Sequence, residues 1–386
     1  MWPDNRILDL FGIDIPIIQA PMAGSVLTDM VVAVSEAGGL GSLACALLSV
    51  EQARRELELI RRKTSRPINV NFFCYQQPRD DPAPQMSWRR RLDAYYVQLE
   101  LENNTSIPGS NRAPFDDKMC DLVMEFHPEV VSFHFGLPDK NLLARVRRAG
   151  AKIISSATFV DEARWLEDHG CDAIVAQGYE AGGHRGAFLS ADVSTQVGTM
   201  ALIPQVVDAV KVPVIAAGGI ADARGIAAAF ALGASAVQIG TAYLLCPEAP
   251  ISPIYRQALK EAKDNETALT NVFTGRAARG IINRLVREVG PMSDIAPDFP
   301  LAAAALAPLR AKSEMAGSAD FTPLWSGQAA RLSRDLFPAA ELTQQLAAEA
   351  LQKLRLLQTL ASADVLLAKA AALAKVGISV SRSPLT

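Results

Sequence analysis

The chain has 386 residues, 49% hydrophobic, 20% charged and 6% aromatic, with 38 basic against 41 acidic side chains and a net charge of −3. That hydrophobic share excludes global disorder, and so balanced a charge offers no basic field for a phosphate backbone, so nucleic acid is not an expected partner. Mean hydropathy is +0.14, yet no stretch reaches the ~18 consecutive apolar residues of a spanning helix, so no membrane is expected and a soluble protein with a large core fits best.

Short apolar runs mark eight candidate strands in chain order: Ile15–Gln19, Gly41–Ala44, Ile68–Phe73, Val130–Phe133, Lys152–Ser156, Ala173–Gln177, Val214–Ala217 and Ala236–Ile239. They are apolar almost throughout, as strands buried on both faces of a parallel sheet are. Helix-period segments lie between them: Thr28–Ala37, Val50–Lys63, Lys140–Ala149, Val160–His169, Met200–Ala209 and Asp222–Leu232. Three of these run into a glycine, Gly150, Gly170 and Gly233, that ends the helix and introduces the next strand. Eight strands with crossover connections fit an α/β fold, either a closed (β/α)8 TIM barrel or an open doubly wound sheet, and the count favours the barrel. Its active site would lie at the C-terminal ends of the strands.

Two segments, 74–127 and 247–330, are too long for ordinary loops and read as lids or small helical pieces over the barrel mouth. Trp88–Glu102 is amphipathic within the first. The expected division is therefore a barrel of residues 1–246 plus 331–386, with 247–330 as a helical insertion after the eighth strand that covers the active site. The apolar stretch PLAAAALAPL at 300–309 suits either a lid or the face of a homodimer. From about Ala339 the chain reads as an Ala/Leu helix on the barrel's outside, then a polar end, Ser379–Thr386.

Five scattered cysteines, Cys45, Cys74, Cys120, Cys171 and Cys246, form no Cys-x-x-Cys pair, and none of the four histidines stands in metal-ligand spacing. That argues against zinc or a disulfide framework, so no metal is expected, and for buried thiols in a reducing compartment. The N-terminus MWPDNRILDL lacks the apolar stretch of a signal peptide, and the expected location is cytoplasmic.

Polar and glycine residues gather at the strand ends. QAPMAG at 19–24 suits a rigid turn facing a flat apolar ring, with Met22 as a soft contact. Asn69 and Asn71, two apart on one strand, point to one side, where an amide can bond a polar ring edge. His134, between Phe133 and Phe135, is more simply a satisfied core group than a catalyst. The strongest signal is QGYEAGGHRG at 177–186, where four glycines bring backbone close to something and a histidine and an arginine follow. Gly218-Gly219 and Gly240-Thr241 end the seventh and eighth strands, the places where barrels bind phosphate with glycine N–H groups, a hydroxyl and a helix N-terminus. No P-loop or dinucleotide fingerprint is present, so the phosphate belongs to a mononucleotide or a sugar phosphate. His127 reads as a turn residue and His169 as a helix C-terminal residue. Arg276, Arg279, Arg284 and Arg287 are spaced to share one face of a helix, ordinarily a solvated or ion-paired face.

With these motifs in order, the sequence resembles the nitronate monooxygenases, formerly called 2-nitropropane dioxygenases, of the main bacterial and fungal class. The matching segments are QAPMAG at 19–24, SEAGGLGSL at 35–43, NVNFF at 69–73, VSFHFG at 131–136, QGYEAGGHRG at 177–186, AAGGI at 216–220, QIGTAY at 238–243, GRAARGIINR at 275–284 and LWSGQAA at 324–330. The resemblance runs from about residue 7 to 350. It implies a barrel that binds FMN without a covalent link. The implied FMN contacts are Met22, Asn71, Gln177, Gly182, Gly183, Gly218, Gly219, Gln238, Ile239, Gly240 and Thr241. His184 falls on the catalytic histidine, and His134 and Trp325 fall near the substrate. The family commonly has Tyr where this chain has Trp325, which removes a hydroxyl and adds bulk. The implied reaction takes a nitronate and dioxygen to a carbonyl compound and nitrite. Two other readings share these motifs: a flavin-dependent NAD(P)H reductase of an enoyl thioester or quinone, and a flavin- or phosphate-binding barrel without turnover.

Overall fold

The computed structural model describes residues 1–79, 81–102, 113–333 and 336–361; the polar end Ser379–Thr386 lies outside them. Its strands are β1 (Ile17–Gln19), β2 (Gly41–Ala44), β3 (Ile68–Phe73), β4 (Val130–His134), β5 (Lys152–Ala157), β6 (Ala173–Gln177), β7 (Gly183–His184), β8 (Val214–Ala217), β9 (Ala236–Ile239), β10 (Thr267–Thr270) and β11 (Ala278–Ile281). Eight of these are parallel neighbours in the order β1-β9-β8-β6-β5-β4-β3-β2. A parallel bridge from Ile18 to Leu40 joins β1 to β2 and closes the ring. The eight strands read from the sequence are all present, and the fold is a (β/α)8 barrel.

Strand side chains alternate between two apolar environments. Ile18, Val130, Ile154, Val175 and Ile215 point into the barrel, while Ile17, Val131, Ile153, Ile174 and Val214 pack against the surrounding helices. A short helix that the sequence reading did not include, Arg6–Phe11, places Ile7 and Phe11 against the inward set. The interior turns polar on other strand positions, with Ser42, Asn69 and Asn71 buried there, and Gln19 is buried as well. Ser42 accepts from Asn69 Nδ2 at 3.0 Å and its N–H donates to Gln19 Oε1 at 2.9 Å.

The outer helices fall within two residues of the expected spans. The eighth helix of the ring is Ala339–Ala361, which packs between Ala223–Ala231 and Thr28–Glu36. Thr343 ties it to the barrel through a 2.7 Å bond to the buried Tyr243 hydroxyl. Everything from Thr241 to Pro338 is thus inserted between the eighth strand and its own helix.

This insertion holds helices, such as Pro253–Glu261 and Ala307–Met315, and also the antiparallel pair β10–β11. The pair overturns the expectation of one helix over the arginine run. Arg279 lies on β11 and is 2% exposed, Arg276 is in the preceding loop, and only Arg284 and Arg287 are helical, on Arg284–Val289. Gly275 and Gly280 explain the strand: a Cβ on Gly280 would meet Leu324 O at 2.8 Å, so extended backbone is packed against backbone there. The insertion also shares an apolar cluster with the helices Pro82–Arg91 and Asp93–Gln98 of segment 74–127. Trp88, fully buried, donates its Nε1 proton to Ala302 O at 3.1 Å, and Ala305, Leu306 and Leu309 lie beside it. Ala302, Ala305, Leu306 and Leu309 of the 300–309 stretch are therefore covered within the chain, while Ala307 is exposed. Among the described residues no helix is long and apolar enough to cross a membrane.

Candidate active site

A cavity of about 320 Å³ opens at the C-terminal ends of the barrel strands. Alternation along the strands delivers Asn71 from β3, His134 from β4, Gln177 from β6 and Gln238 from β9 to its wall. The turns beyond the strands add Met22, Gly182, Gly183, His184, Gly218, Gly219, Gly240 and Thr241. Trp325 closes it from the insertion, with Tyr255, Arg310 and Gly327. Of the residues expected at the site only Ile239 is missing from this lining. Its side chain, 1% exposed, takes the outward position next to Gln238 and packs toward the helices, and its carbonyl is used by Ala20 N–H at 2.8 Å.

Among the described residues the lining contains no aspartate or glutamate, and its one Arg or Lys side chain is Arg310, with Nε held by Glu314 at 2.8 Å. Gly218 and Gly219 are consecutive left-handed residues, with φ +109° and +70°, so any side chain there would be strained. Thr241 accepts from Gly327 N–H at 3.0 Å, which leaves its own O–H to donate. The helix after β8 departs from expectation, because Asp222 caps it through the N–H groups of Arg224 and Gly225 at 2.8 and 3.2 Å. Its end is satisfied from within. An anion would instead meet glycine backbone and the Thr241 hydroxyl. The Gln238 amide lines the cavity without a hydrogen-bond partner among the described residues, whereas Asn71 Nδ2 already donates to Ser132. A phosphorylated, flat cofactor fits this donor set: amide groups on one wall, a glycine-rich end and no repelling carboxylate.

His184 is positioned by two sheets. Gln177 ends β6 of the barrel, and its amide clasps the loop, donating to His184 O at 3.1 Å and accepting from Gly186 N–H at 2.7 Å. Further along the chain, β7 pairs with β11 so that His184 lies opposite Ala278. Arg185, 1% exposed, donates to the carbonyls of Gln177 and Gly178 at 2.9 and 2.8 Å and so pins the turn. Burial lowers its pKa to about 10, which leaves it charged at neutral pH. The imidazole of His184 stands among aromatic rings, with centroids of Phe299 and Trp325 both 5.4 Å away and those of Phe73 and Phe135 both 6.0 Å away. Its Nε2 is 3.0 Å from the Thr274 hydroxyl.

His134 is next to this group and differs from it chemically. Its Nε2 faces His184 O at 3.1 Å, and a carbonyl only accepts, so the proton sits on Nε2 while Nδ1 accepts from the Ser156 hydroxyl, also at 3.1 Å. Burial pushes its pKa down to about 3, helped by Arg276 and Arg185 and opposed by the His184 carbonyl. The ring is neutral and bonded at both nitrogens, as the sequence context suggested. Unfolded, a histidine titrates near ~6.5, so between there and about 3 only the unfolded chain takes up the proton, and stability falls as pH drops through that window. The variant His134→Gln should therefore lose less melting temperature than wild type between about pH 7 and about pH 4.5. Parallel losses in the two proteins would remove His134 from the acid response.

Sequence reasoning missed Thr274, Tyr255, Arg310 and Gly327. All four come from the insertion, where single polar residues in loops or on short helices carry no periodic signal. Gly327 was quoted within LWSGQAA, but only the fold reveals its bond to Thr241.

The family model for nitronate monooxygenase matches residues 4–349. A nitronate monooxygenase of Pseudomonas aeruginosa is 40% identical over 347 residues, covering 89% of this chain and 99% of that protein. Among solved structures, a nitroalkane oxidase from Streptomyces ansochromogenes is similar with a TM-score of 0.83 and 38% identity, covering 91% of this chain and 99% of that one. FabK from Thermotoga maritima follows at 0.71 and 27% identity, covering 92% and 98%.

Proposed function

The chain belongs to the nitronate monooxygenase family and oxidises nitronates, and from that premise we propose that it does so with FMN in the barrel cavity, converting substrates such as propionate 3-nitronate and dioxygen to carbonyl compounds and nitrite. The observation that carries this reading is a cavity with an amide wall, a glycine-rich end free of carboxylates, and His184 at its edge. Gly182, Gly183, Gly218, Gly219, Gly240 and Thr241 would hold the phosphate and its chain, with Asn71, Gln177 and Gln238 on the ring side and Met22 against its face. Bound there, FMN would supply the electron chemistry between nitronate and dioxygen.

The protein's part is to bind and to manage protons. His184 takes the proton from the carbon of a neutral nitroalkane or, once protonated, holds the nitronate anion by charge. Phe299, Trp325 and Phe135 keep bulk water from the ring, which strengthens that charge interaction. Arg310 adds positive charge to a lining otherwise without Lys or Arg, which suits an anionic substrate. All of these groups belong to one chain. Five buried cysteines support a place in the reducing cytoplasm.

The test is a visible spectrum of the purified protein followed by anaerobic additions. Flavin absorbance that bleaches with propionate 3-nitronate and not with NADPH is the expected result. Bleaching by NADPH alone would establish the reductase reading instead, and no flavin after reconstitution would leave a barrel without redox turnover.

A further inference from the structure

Thr274 has no part in the family resemblance, yet its hydroxyl lies 3.0 Å from His184 Nε2. The side chain is 3% exposed, so its few partners decide where its proton goes. Arg276 O, 3.3 Å from Thr274 Oγ1, is a carbonyl and only accepts. The hydroxyl proton therefore points to Arg276, and Oγ1 offers a lone pair to the imidazole. His184 must then carry its proton on Nε2, which puts the ring's lone pair on Nδ1.

The arrangement is built from the backbone. Thr274 sits in the β10–β11 connection, where Thr274 N–H and Gly275 N–H both donate to Asn271 O, at 3.3 and 2.7 Å. Gly275 is left-handed, with φ +87°, and a Cβ there would lie 2.0 Å from Pro297 O, so the turn is locked against the 297–299 segment. The Asn271 side chain fastens it further by exchanging bonds with Ser293, at 2.9 and 3.0 Å. The same hairpin pairs with β7 through Ala278 and His184. One sheet thus carries the histidine and the hydroxyl that orients it.

We propose that Thr274 is a positioning residue that fixes the Nε2–H tautomer and the ring orientation of His184, so that Nδ1 is the basic nitrogen. The proposal rests on His184 being the proton-handling group of the reaction. Its test separates the two, because the tautomer can be read without turnover. With 15N-labelled histidine there are only four imidazoles to resolve, and the His184→Asn variant assigns the relevant pair of signals by their loss. In wild type, Nε2 should show a protonated shift and Nδ1 a bare one. A hydrogen bond of this kind biases a two-state equilibrium about 10-fold. Thr274→Val should accordingly give averaged shifts and, with the active tautomer reduced to about half, lower kcat on a neutral nitroalkane about 2-fold, with KM nearly constant. Thr274→Ser keeps the hydroxyl and should restore both. An unchanged His184 signature in Thr274→Val, or a serine variant that behaves like the valine one, would overturn the proposal. A wild-type signature that follows Thr274 in a protein inactive on nitro compounds would sustain it and refute the function instead.

Discussion

Replacing His184 by alanine is expected to lower kcat/KM on a neutral nitroalkane by ~10²–10⁴-fold while the flavin stays bound, the range typical of a lost acid–base group. His184 stands at the cavity edge, held by two sheets amid four aromatic rings, whereas the buried His134 beside it is neutral and bonded to Ser156 and the His184 carbonyl. A preformed nitronate has already lost its proton, so the same variant should lose far less on that substrate, about 10-fold, from the missing charge contact. The two substrates measured side by side therefore report which role the imidazole plays. Equal losses on both would assign it to anion binding alone, and full turnover on the neutral substrate would remove it from the mechanism.

The second large effect is expected from a single methyl group. In Gly182→Ala the new Cβ would lie 2.5 Å from Gly327 N and 2.6 Å from Ser326 C. Both are backbone atoms, so no side chain can swing aside. The 326–328 segment is fastened on either side, by Gly327 N–H to Thr241 and by Gln328 N–H to Glu180 O at 3.0 Å. Forcing it away breaks the link that joins the insertion to the eighth-strand turn and shifts Trp325 from the histidine. Overpacking of this kind costs about 1–3 kcal/mol. Melting temperature should fall, and flavin should be lost on gel filtration, even though the substitution lies on no expected reaction coordinate. Wild-type melting together with full flavin content would show that the contact yields.

Both residues lie in one loop that the sequence makes visible. Strands buried on both faces announce themselves as apolar runs, so all eight barrel strands and the turns that follow them could be placed. The QGYEAGGHRG loop was conspicuous because its glycines have no reason to cluster in solvent. What could not be seen was the pairing of that loop with the insertion. Two residues, Gly183 and His184, make too short a strand to leave a pattern. Their partner Ala278–Ile281 contains arginines whose spacing imitates a helix face, and only burial of Arg279 by packing elsewhere in the fold resolves the ambiguity. Ile239 shows the opposite failure. A motif carried over as an unbroken run ignores the period-2 alternation that turns every other side chain away from the cavity.

The position of Ala339–Ala361 in the outer ring bears on how the molecule is made. The helices Ala223–Ala231 and Thr28–Glu36 are both made before the insertion, but the helix that lies between them is translated after it. The apolar seam that Leu346, Ala347 and Ala350 fill therefore stays uncovered until residues 339–361 have been made. Truncation before Ala339 would be expected to yield a protein that retains every group named in the catalytic cavity and still aggregates. The covering of this seam is decided by a segment far in sequence from the chemistry.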